Sequence, residues 1–231
     1  MFEMIAFDAD DTLWHNITLF TMTHDKFKAL LADYHDSDWI ERQLDDTQIR
    51  NLRIFGYGVK GYILSMIETA IQLTEGRIRG DQIQTIIDYG KEMLNTPVKL
   101  IDGVTDTLTR LFPDYPLMVI TKGDLFDQQS RIAESGLAEW FQHVEVVAEK
   151  TPETYRRILE RIGVAPERFL MVGNSLKSDV LPLLELGARA IHIPHDETWI
   201  HETVAPELLA RYQYITLAGI AELPAQLRDW Q

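Results

Sequence analysis

Five short runs of apolar, β-prone residues recur along the chain and predict strands at residues 4–7, 117–120, 144–148, 169–172 and 190–193. From the second run onward, helix-like stretches separate the runs, at residues 128–136, 153–163 and 180–187. This alternation is typical of a parallel sheet, and strands that are apolar almost throughout suit a sheet covered on both faces. We therefore expect an α/β fold with a parallel sheet at its centre.

Residues 13–93 follow a different pattern, in which apolar side chains recur at helical spacing without strand-like alternation. Phe20, Phe27, Ile40, Leu44, Ile63 and Ile67 are among them. A segment of this length is far longer than an ordinary connection inside a compact domain. We therefore expect two domains: an α/β core formed by residues 1–13 and 97–231, and an α-helical domain formed by residues 14–96.

Composition narrows the classes of partner and of chemistry. The chain has no cysteine, which excludes a disulfide scaffold, a zinc ribbon and a thiol nucleophile. Its 36 Asp and Glu residues against 22 Lys and Arg give a formal net charge of −14, which disfavours nucleic acid and anionic membranes as partners. No apolar run approaches the roughly 20 residues needed to cross a bilayer, and the first residues do not resemble a secretory signal. We expect a cytoplasmic location, and the oligomeric state stays open.

Polar side chains follow four of the predicted strands, at the positions where open α/β sheets bind ligands. In chain order they are Asp8, Asp10, Thr121, Lys122, Lys150, Asn174 and Asp179. Any one of them could be no more than a helix cap. Because the carboxyl ends of parallel strands meet at one edge of the sheet, we expect these side chains to lie close together.

These residue types suit the handling of phosphate. Asp8 and Asp10 are two positions apart at a strand end, so both can reach the same side, and Asp179 adds a third carboxylate. Hard oxygen donors of this kind suit Mg²⁺. The hydroxyl of Thr121 near a helix start favours an anion, and Lys150 supplies a point charge for phosphate. Lys122, beside Thr121, could contact the substrate or cap a turn.

The chain resembles the haloacid dehalogenase (HAD) superfamily, which has four motifs in a fixed order. The residues that match them are Asp8-x-Asp10-x-Thr12, then Thr121, then Lys150, then residues 173–179. Most members of that superfamily are Mg²⁺-dependent phosphohydrolases, and the resemblance covers the whole α/β part. It implies a Rossmann-like core with an inserted α-helical cap.

The resemblance also implies roles for individual residues. Asp8 would attack phosphorus to form an aspartyl-phosphate, and Asp10 would protonate the leaving oxygen and then activate water. Thr121 and Lys150 would hold the transferring phosphoryl group. The metal ligands would come from Asp8, Asp10, Asn174 and Asp179.

Two features favour a phosphatase for small molecules. The dehalogenases that gave the superfamily its name lack the second aspartate, so Asp10 indicates hydrolysis of a phosphate ester. The helical insert between the first and second motifs resembles the cap of enzymes that act on small phosphorylated metabolites. Trp14, directly after the first motif, is interpreted as a buried hinge aromatic, with packing on the substrate as the alternative.

The fourth motif departs from the family pattern, because Asn174 follows Gly173 where the family usually has aspartate. Asparagine keeps an oxygen donor and loses a charge, so the metal could bind through Asn174, through Asp179 or through both. A catalytically silent binding protein is therefore one alternative. A phosphomutase is another, because it would use the same two aspartates to return the phosphoryl group to a sugar. A phospho-receiver is disfavoured, because its acidic pair and its acceptor aspartate lie on different strands and it has no cap.

Overall fold

The computed structural model describes residues 2–195 and 202–230. Within them the chain forms two compact units. The first comprises the described residues 2–17, 98–122, 128–195 and 202–230, and the second comprises residues 18–97 and 123–127.

The first unit is built on a six-stranded sheet in which every described strand pair is parallel. The strands are β1 (Met4–Phe7), β2 (Leu117–Lys122), β3 (His143–Val147), β4 (Phe169–Gly173), β5 (Arg189–His192) and β6 (Ile215–Thr216). Their order across the sheet is β3-β2-β1-β4-β5-β6. The predicted parallel α/β sheet is confirmed. Strand β6 was not predicted, because its two residues are too few to show a pattern in the sequence.

Successive residues of a strand point to opposite faces of the sheet, and β1 shows this clearly. Ile5 and Phe7 belong to the apolar core on one face, whereas Met4 and Ala6 belong to the core on the other. Helices pack on both cores. The helices of this part of the chain are α5 (Val104–Leu111), α6 (Leu125–Glu134), α7 (Pro152–Ile162), α8 (Leu181–Glu185), α9 (Pro206–Leu209) and α10 (Leu223–Asp229).

The second unit is helical and has its own apolar core. Its helices are α1 (Ile17–Leu30), α2 (Ser37–Phe55), α3 (Val59–Leu73) and α4 (Gly80–Asn95). Phe27, Ile40, Leu44, Met66 and Ile86 are completely buried in that core. In the described parts of the chain, no helix is both long enough and apolar enough to cross a membrane.

Candidate active site

Asp8 lies directly after β1, at the carboxyl edge of the sheet. Its backbone N–H donates to the carbonyl of Val172 in β4 over 2.9 Å, so the chain is still held beside the sheet at this residue. The chain then turns sharply, because the N–H groups of Thr12 and Leu13 both donate to the carbonyl of Ala9. The first motif therefore forms a compact loop above the central strands.

Asp11 connects this loop to the first helix. Its φ of 60° is left-handed, a conformation that Asp adopts more readily than most residues. Its carboxylate accepts hydrogen bonds from the backbone N–H groups of Asn16 (2.8 Å) and Ile17 (3.0 Å), where α1 begins. Asp11 thus stabilises the loop and the start of α1.

The ammonium group of Lys150 joins two carboxylates of the site. Its Nζ donates to Oδ1 of Asp8 and, over 2.6 Å, to Oδ1 of Asp179. All three side chains are buried. Burial by itself lowers the pKa of Lys150, but the carboxylates of Asp179 and Asp8 outweigh burial and raise that pKa above its usual value. Lys150 therefore carries its charge at neutral pH and offsets part of the charge of the two aspartates.

A tight turn after β4 positions Asp179. Residues Leu176–Val180 form a single π-helical turn, a geometry that is frequent at functional sites. The backbone N–H of Ser175 donates to Oδ2 of Asp179 over 3.0 Å. A Cβ atom at Gly173 would lie 2.3 Å from the same Oδ2 atom, so only glycine permits this approach.

Asn174 and Asp8 each have a side-chain oxygen close to the hydroxyl of Thr12. The Oγ1 atom of Thr12 lies 3.2 Å from Oδ2 of Asp8 and 3.4 Å from Oδ1 of Asn174. The hydroxyl of Thr12 thus connects Asp8 of the first motif with Asn174 of the fourth.

These oxygens fit Mg²⁺ by their chemistry. No group of three or more His, Cys, Asp or Glu side chains in the described residues forms a ready-made metal centre. Mg²⁺ does not need one, because it usually binds through one or two carboxylates and keeps several waters. Asp8, Asp179 and the amide oxygen of Asn174 form such a hard donor set.

The carboxylate of Asp10 is held by two N–H donors. Nε1 of Trp14 donates to Oδ1 over 2.8 Å, and Nε2 of Gln128 donates to Oδ2 over 2.7 Å. Burial is the largest influence on Asp10 and raises its pKa to about 7, with Arg131 opposing the rise and Asp8 adding to it. Asp10 therefore titrates near neutral pH.

Gln128 was not among the residues predicted from the sequence. It lies in α6, is buried, and its Oε1 atom has no hydrogen-bond partner among the described residues. It belongs to no local motif, and its contact with Asp10 joins positions 118 residues apart in the chain.

Thr121 and Lys122 are the last two residues of β2, which extends two residues beyond its predicted end at residue 120. The Thr121 side chain is buried, and its Oγ1 lies 3.4 Å from the carbonyl oxygen of Lys122. Nζ of Lys122 donates to Oγ of Ser178 over 2.9 Å and to Oε1 of Glu202 over 2.6 Å. Glu202 is a second residue that the sequence analysis did not single out.

The geometry thus brings Asp8, Lys150 and Asp179 into direct contact and links Asn174 to Asp8 through Thr12. The profile of the haloacid dehalogenase-like hydrolase family matches residues 2–187. The chain belongs to the haloacid dehalogenase-like hydrolase family. The family resemblance inferred from the motifs is confirmed.

Individual relatives agree with this membership. The chain is 28% identical to the glyceraldehyde 3-phosphate phosphatase of Pyrococcus furiosus over 138 residues, which cover 57% of this chain and 55% of that protein. It is 24% identical to the human N-acylneuraminate-9-phosphatase over 213 residues, which cover 87% of this chain and 84% of that protein. The crystal structure of a HAD-like family hydrolase from Xanthomonas campestris matches with a TM-score of 0.87 and 40% identity, over 99% of this chain and 91% of that one.

Proposed function

We propose that this HAD-like hydrolase is a Mg²⁺-dependent phosphohydrolase that acts on a small phosphorylated metabolite through an aspartyl-phosphate on Asp8. The observation that carries the proposal is the buried contact of Lys150 with both Asp8 and Asp179 at the carboxyl ends of the central strands. This contact supports the proposal, because it joins a carboxylate that would attack phosphorus, a second carboxylate and a cation that would bind phosphate. The names of the archaeal and human relatives, both phosphatases, support the same reaction class.

Asp8 is suited to act as the nucleophile. One of its oxygens accepts from Lys150 and the other lies next to the Thr12 hydroxyl, so the carboxylate has a fixed orientation. A carboxylate that attacks phosphorus divides one difficult displacement into two easier ones. The phosphoryl group then passes from the substrate oxygen to Asp8 and from Asp8 to water.

Asp10 is suited to move the proton in both steps. Its pKa of about 7 allows both protonation states near neutral pH, which is the condition for an effective general acid and base. In the first step its carboxyl gives a proton to the leaving oxygen. In the second step its carboxylate takes a proton from the attacking water.

The oxygens of Asp8, the backbone carbonyl of Asp10, Asn174 and Asp179 would hold the Mg²⁺ ion. When bound, the ion would offset the negative charge of the phosphoryl group. Thr121 and Lys150 would bind the phosphoryl oxygens, with Lys122 as a further candidate for contact with the substrate. The helical unit, predicted as residues 14–96, would act as the cap that selects the substrate.

The substrate class is a small phosphate ester. The relatives' names specify glyceraldehyde 3-phosphate and an N-acylneuraminate 9-phosphate, both small phosphorylated metabolites. A panel of phosphorylated sugars, acids and nucleotides, with released phosphate as the readout, tests the proposal and identifies the preferred ester. If no ester of the panel and no aryl phosphate releases phosphate in the presence of Mg²⁺, the proposal is wrong.

Two alternatives are separated by further measurements. A phosphomutase would convert a sugar phosphate into its isomer instead of releasing phosphate, so product analysis distinguishes it. A silent binding protein is suggested by Asn174 in place of the usual aspartate. In that case calorimetry would detect no binding of Mg²⁺ at millimolar concentrations.

A further inference from the structure

The carboxylate of Glu202 accepts hydrogen bonds from three side chains that lie in other segments of the chain. Lys122 Nζ donates to Oε1 over 2.6 Å, and Ser178 Oγ donates to Oε2 over 2.6 Å. Ser175 Oγ donates to the same Oε2 atom. Because Lys122 also donates to Ser178 Oγ over 2.9 Å, the four side chains form a closed network between the end of β2 and the turn after β4.

The ion pair in this network is shielded from solvent. The side chains of Lys122 and Glu202 are only 15% and 14% exposed, so dissolved salt screens their charges less than it screens charges on an open surface. Burial raises the pKa of Glu202, but the adjacent Lys122 and the serine hydroxyls outweigh burial and hold that pKa below its usual value. At neutral pH the negative charge of Glu202 therefore offsets the positive charge of Lys122.

Two residues of the network are adjacent in sequence to residues of the proposed phosphate site. Lys122 directly follows Thr121, a proposed phosphate ligand. Ser178 directly precedes Asp179, whose carboxylate contacts Lys150 over 2.6 Å. A change of charge at Lys122 or Glu202 therefore acts on the phosphate site over a short distance through a medium of low dielectric constant.

We propose that Glu202 is a positioning residue that holds Lys122 against Ser178 and cancels its charge, and thereby limits how tightly the site binds phosphate. This inference rests on the proposed phosphohydrolase function. Attraction that substrate and product share with the transition state lowers KM and slows product release without raising kcat. The ammonium group of Lys122 beside the proposed phosphate site supplies attraction of that kind, and the carboxylate of Glu202 weakens it.

If the role of Glu202 were purely structural, its replacement would change the affinity for phosphate in the opposite direction. If its carboxylate only fastened its own segment to Ser175 and Ser178, its loss would loosen the turn that carries Asp179. A looser turn would bind phosphate more weakly. The direction of the change in phosphate affinity therefore separates the two roles.

The test removes the charges of Glu202 and Lys122 one at a time and then together. The inhibition constant of inorganic phosphate, KM and kcat are measured for Mg²⁺-supported hydrolysis of p-nitrophenyl phosphate, and circular dichroism checks folding. We expect Glu202→Gln to lower the inhibition constant and KM about fivefold, and kcat to change less than about twofold. We expect Lys122→Met to raise the inhibition constant by about the same factor, because it leaves Glu202 unopposed. The double variant lacks both charges, so its inhibition constant should be close to that of the wild type.

Two matched variants complete the design. Glu202→Asp keeps the charge of Glu202. Glu207→Gln makes the same change of charge as Glu202→Gln, but at an exposed position in α9. The inhibition constants of both variants should stay within about twofold of the wild-type constant. An inhibition constant that is unchanged or raised in folded Glu202→Gln, or equal tightening in Glu207→Gln, would overturn the inference. If Glu202→Gln does not fold, Lys122→Met is compared with the double variant. A double variant that binds phosphate as weakly as Lys122→Met contradicts the proposal. A wild-type protein without turnover would instead contradict the proposed function.

Discussion

The side-chain amide of Gln128 donates a hydrogen bond from Nε2 to Oδ2 of Asp10 over 2.7 Å. Together with the indole N–H of Trp14, it fixes the orientation of the carboxylate that we propose as the general acid and base. Gln128 lies on α6 and Asp10 follows β1, so this contact depends on the tertiary fold.

The first prediction concerns that contact. Gln128→Met keeps the size of the side chain but removes the N–H donor, so the Asp10 carboxylate loses one of its two constraints. We expect kcat for an aryl phosphate to fall about tenfold with little change in KM. The variant also removes the buried Oε1 atom that has no partner among the described residues, so the free energy of unfolding should not fall by more than about 1 kcal/mol.

Gln129→Met is the matched control, because Gln129 is the next residue of α6 and is exposed. It should leave both kcat and the free energy of unfolding unchanged. A Gln128→Met enzyme with wild-type kcat would show that Asp10 does not need this hydrogen bond.

The second prediction concerns Lys150. Lys150→Met leaves the carboxylates of Asp8 and Asp179 buried without their shared cation. Loss of one partner from a buried ionic cluster costs about 3–5 kcal/mol, so we expect a lower melting temperature as well as loss of hydrolysis. Thermal unfolding without added metal measures the first effect. Lys99→Met, at an exposed position, should melt like the wild type, and a Lys150→Met protein that did the same would contradict the described cluster.

The third prediction uses the close approach of Gly173 to Asp179. A Cβ atom at residue 173 would lie 2.3 Å from Oδ2 of Asp179, so Gly173→Ala must displace that carboxylate. We expect the Mg²⁺ concentration for half-maximal activity to rise about tenfold or more. Gly219→Ala is the control, since its Cβ atom would meet nothing within 4 Å. Unchanged activation by Mg²⁺ in Gly173→Ala would exclude Asp179 from the metal site.

The fourth prediction is the pH dependence of stability at Glu202. Despite its burial, the pairing of Glu202 with Lys122 holds the pKa of this carboxyl below its usual value in the folded state. Its ionised form therefore contributes stability above the pKa of the unfolded state, and the contribution is lost as pH falls through the lower folded pKa. The wild type should melt about 2–4 °C above Glu202→Gln near neutral pH, and this difference should shrink towards about pH 3. A difference that grew on acidification would show that the pairing does not stabilise the folded protein.

The sequence predicted the sheet and its polar edge because both leave a local pattern. The apolar run that became β1 is fully buried, and Asp8 follows it at the carboxyl edge. The contacts that organise the site join distant positions and leave no such pattern. Lys150 meets Asp179 across 29 residues, and Lys122 meets Glu202 across 80. Gln128 has a helical environment like that of its neighbour Gln129, and only the tertiary fold turns one towards Asp10 and the other towards solvent.

The most direct test of the account is the hydrolysis of p-nitrophenyl phosphate by Asp8→Asn in the presence of Mg²⁺. The amide is a poor nucleophile, so we expect phosphate release to fall at least about a thousandfold. The fold should be retained by circular dichroism. Asp229→Asn, an exposed aspartate of the same unit, should keep wild-type activity. Substantial turnover by Asp8→Asn would contradict the assignment of Asp8 as the residue that receives the phosphoryl group.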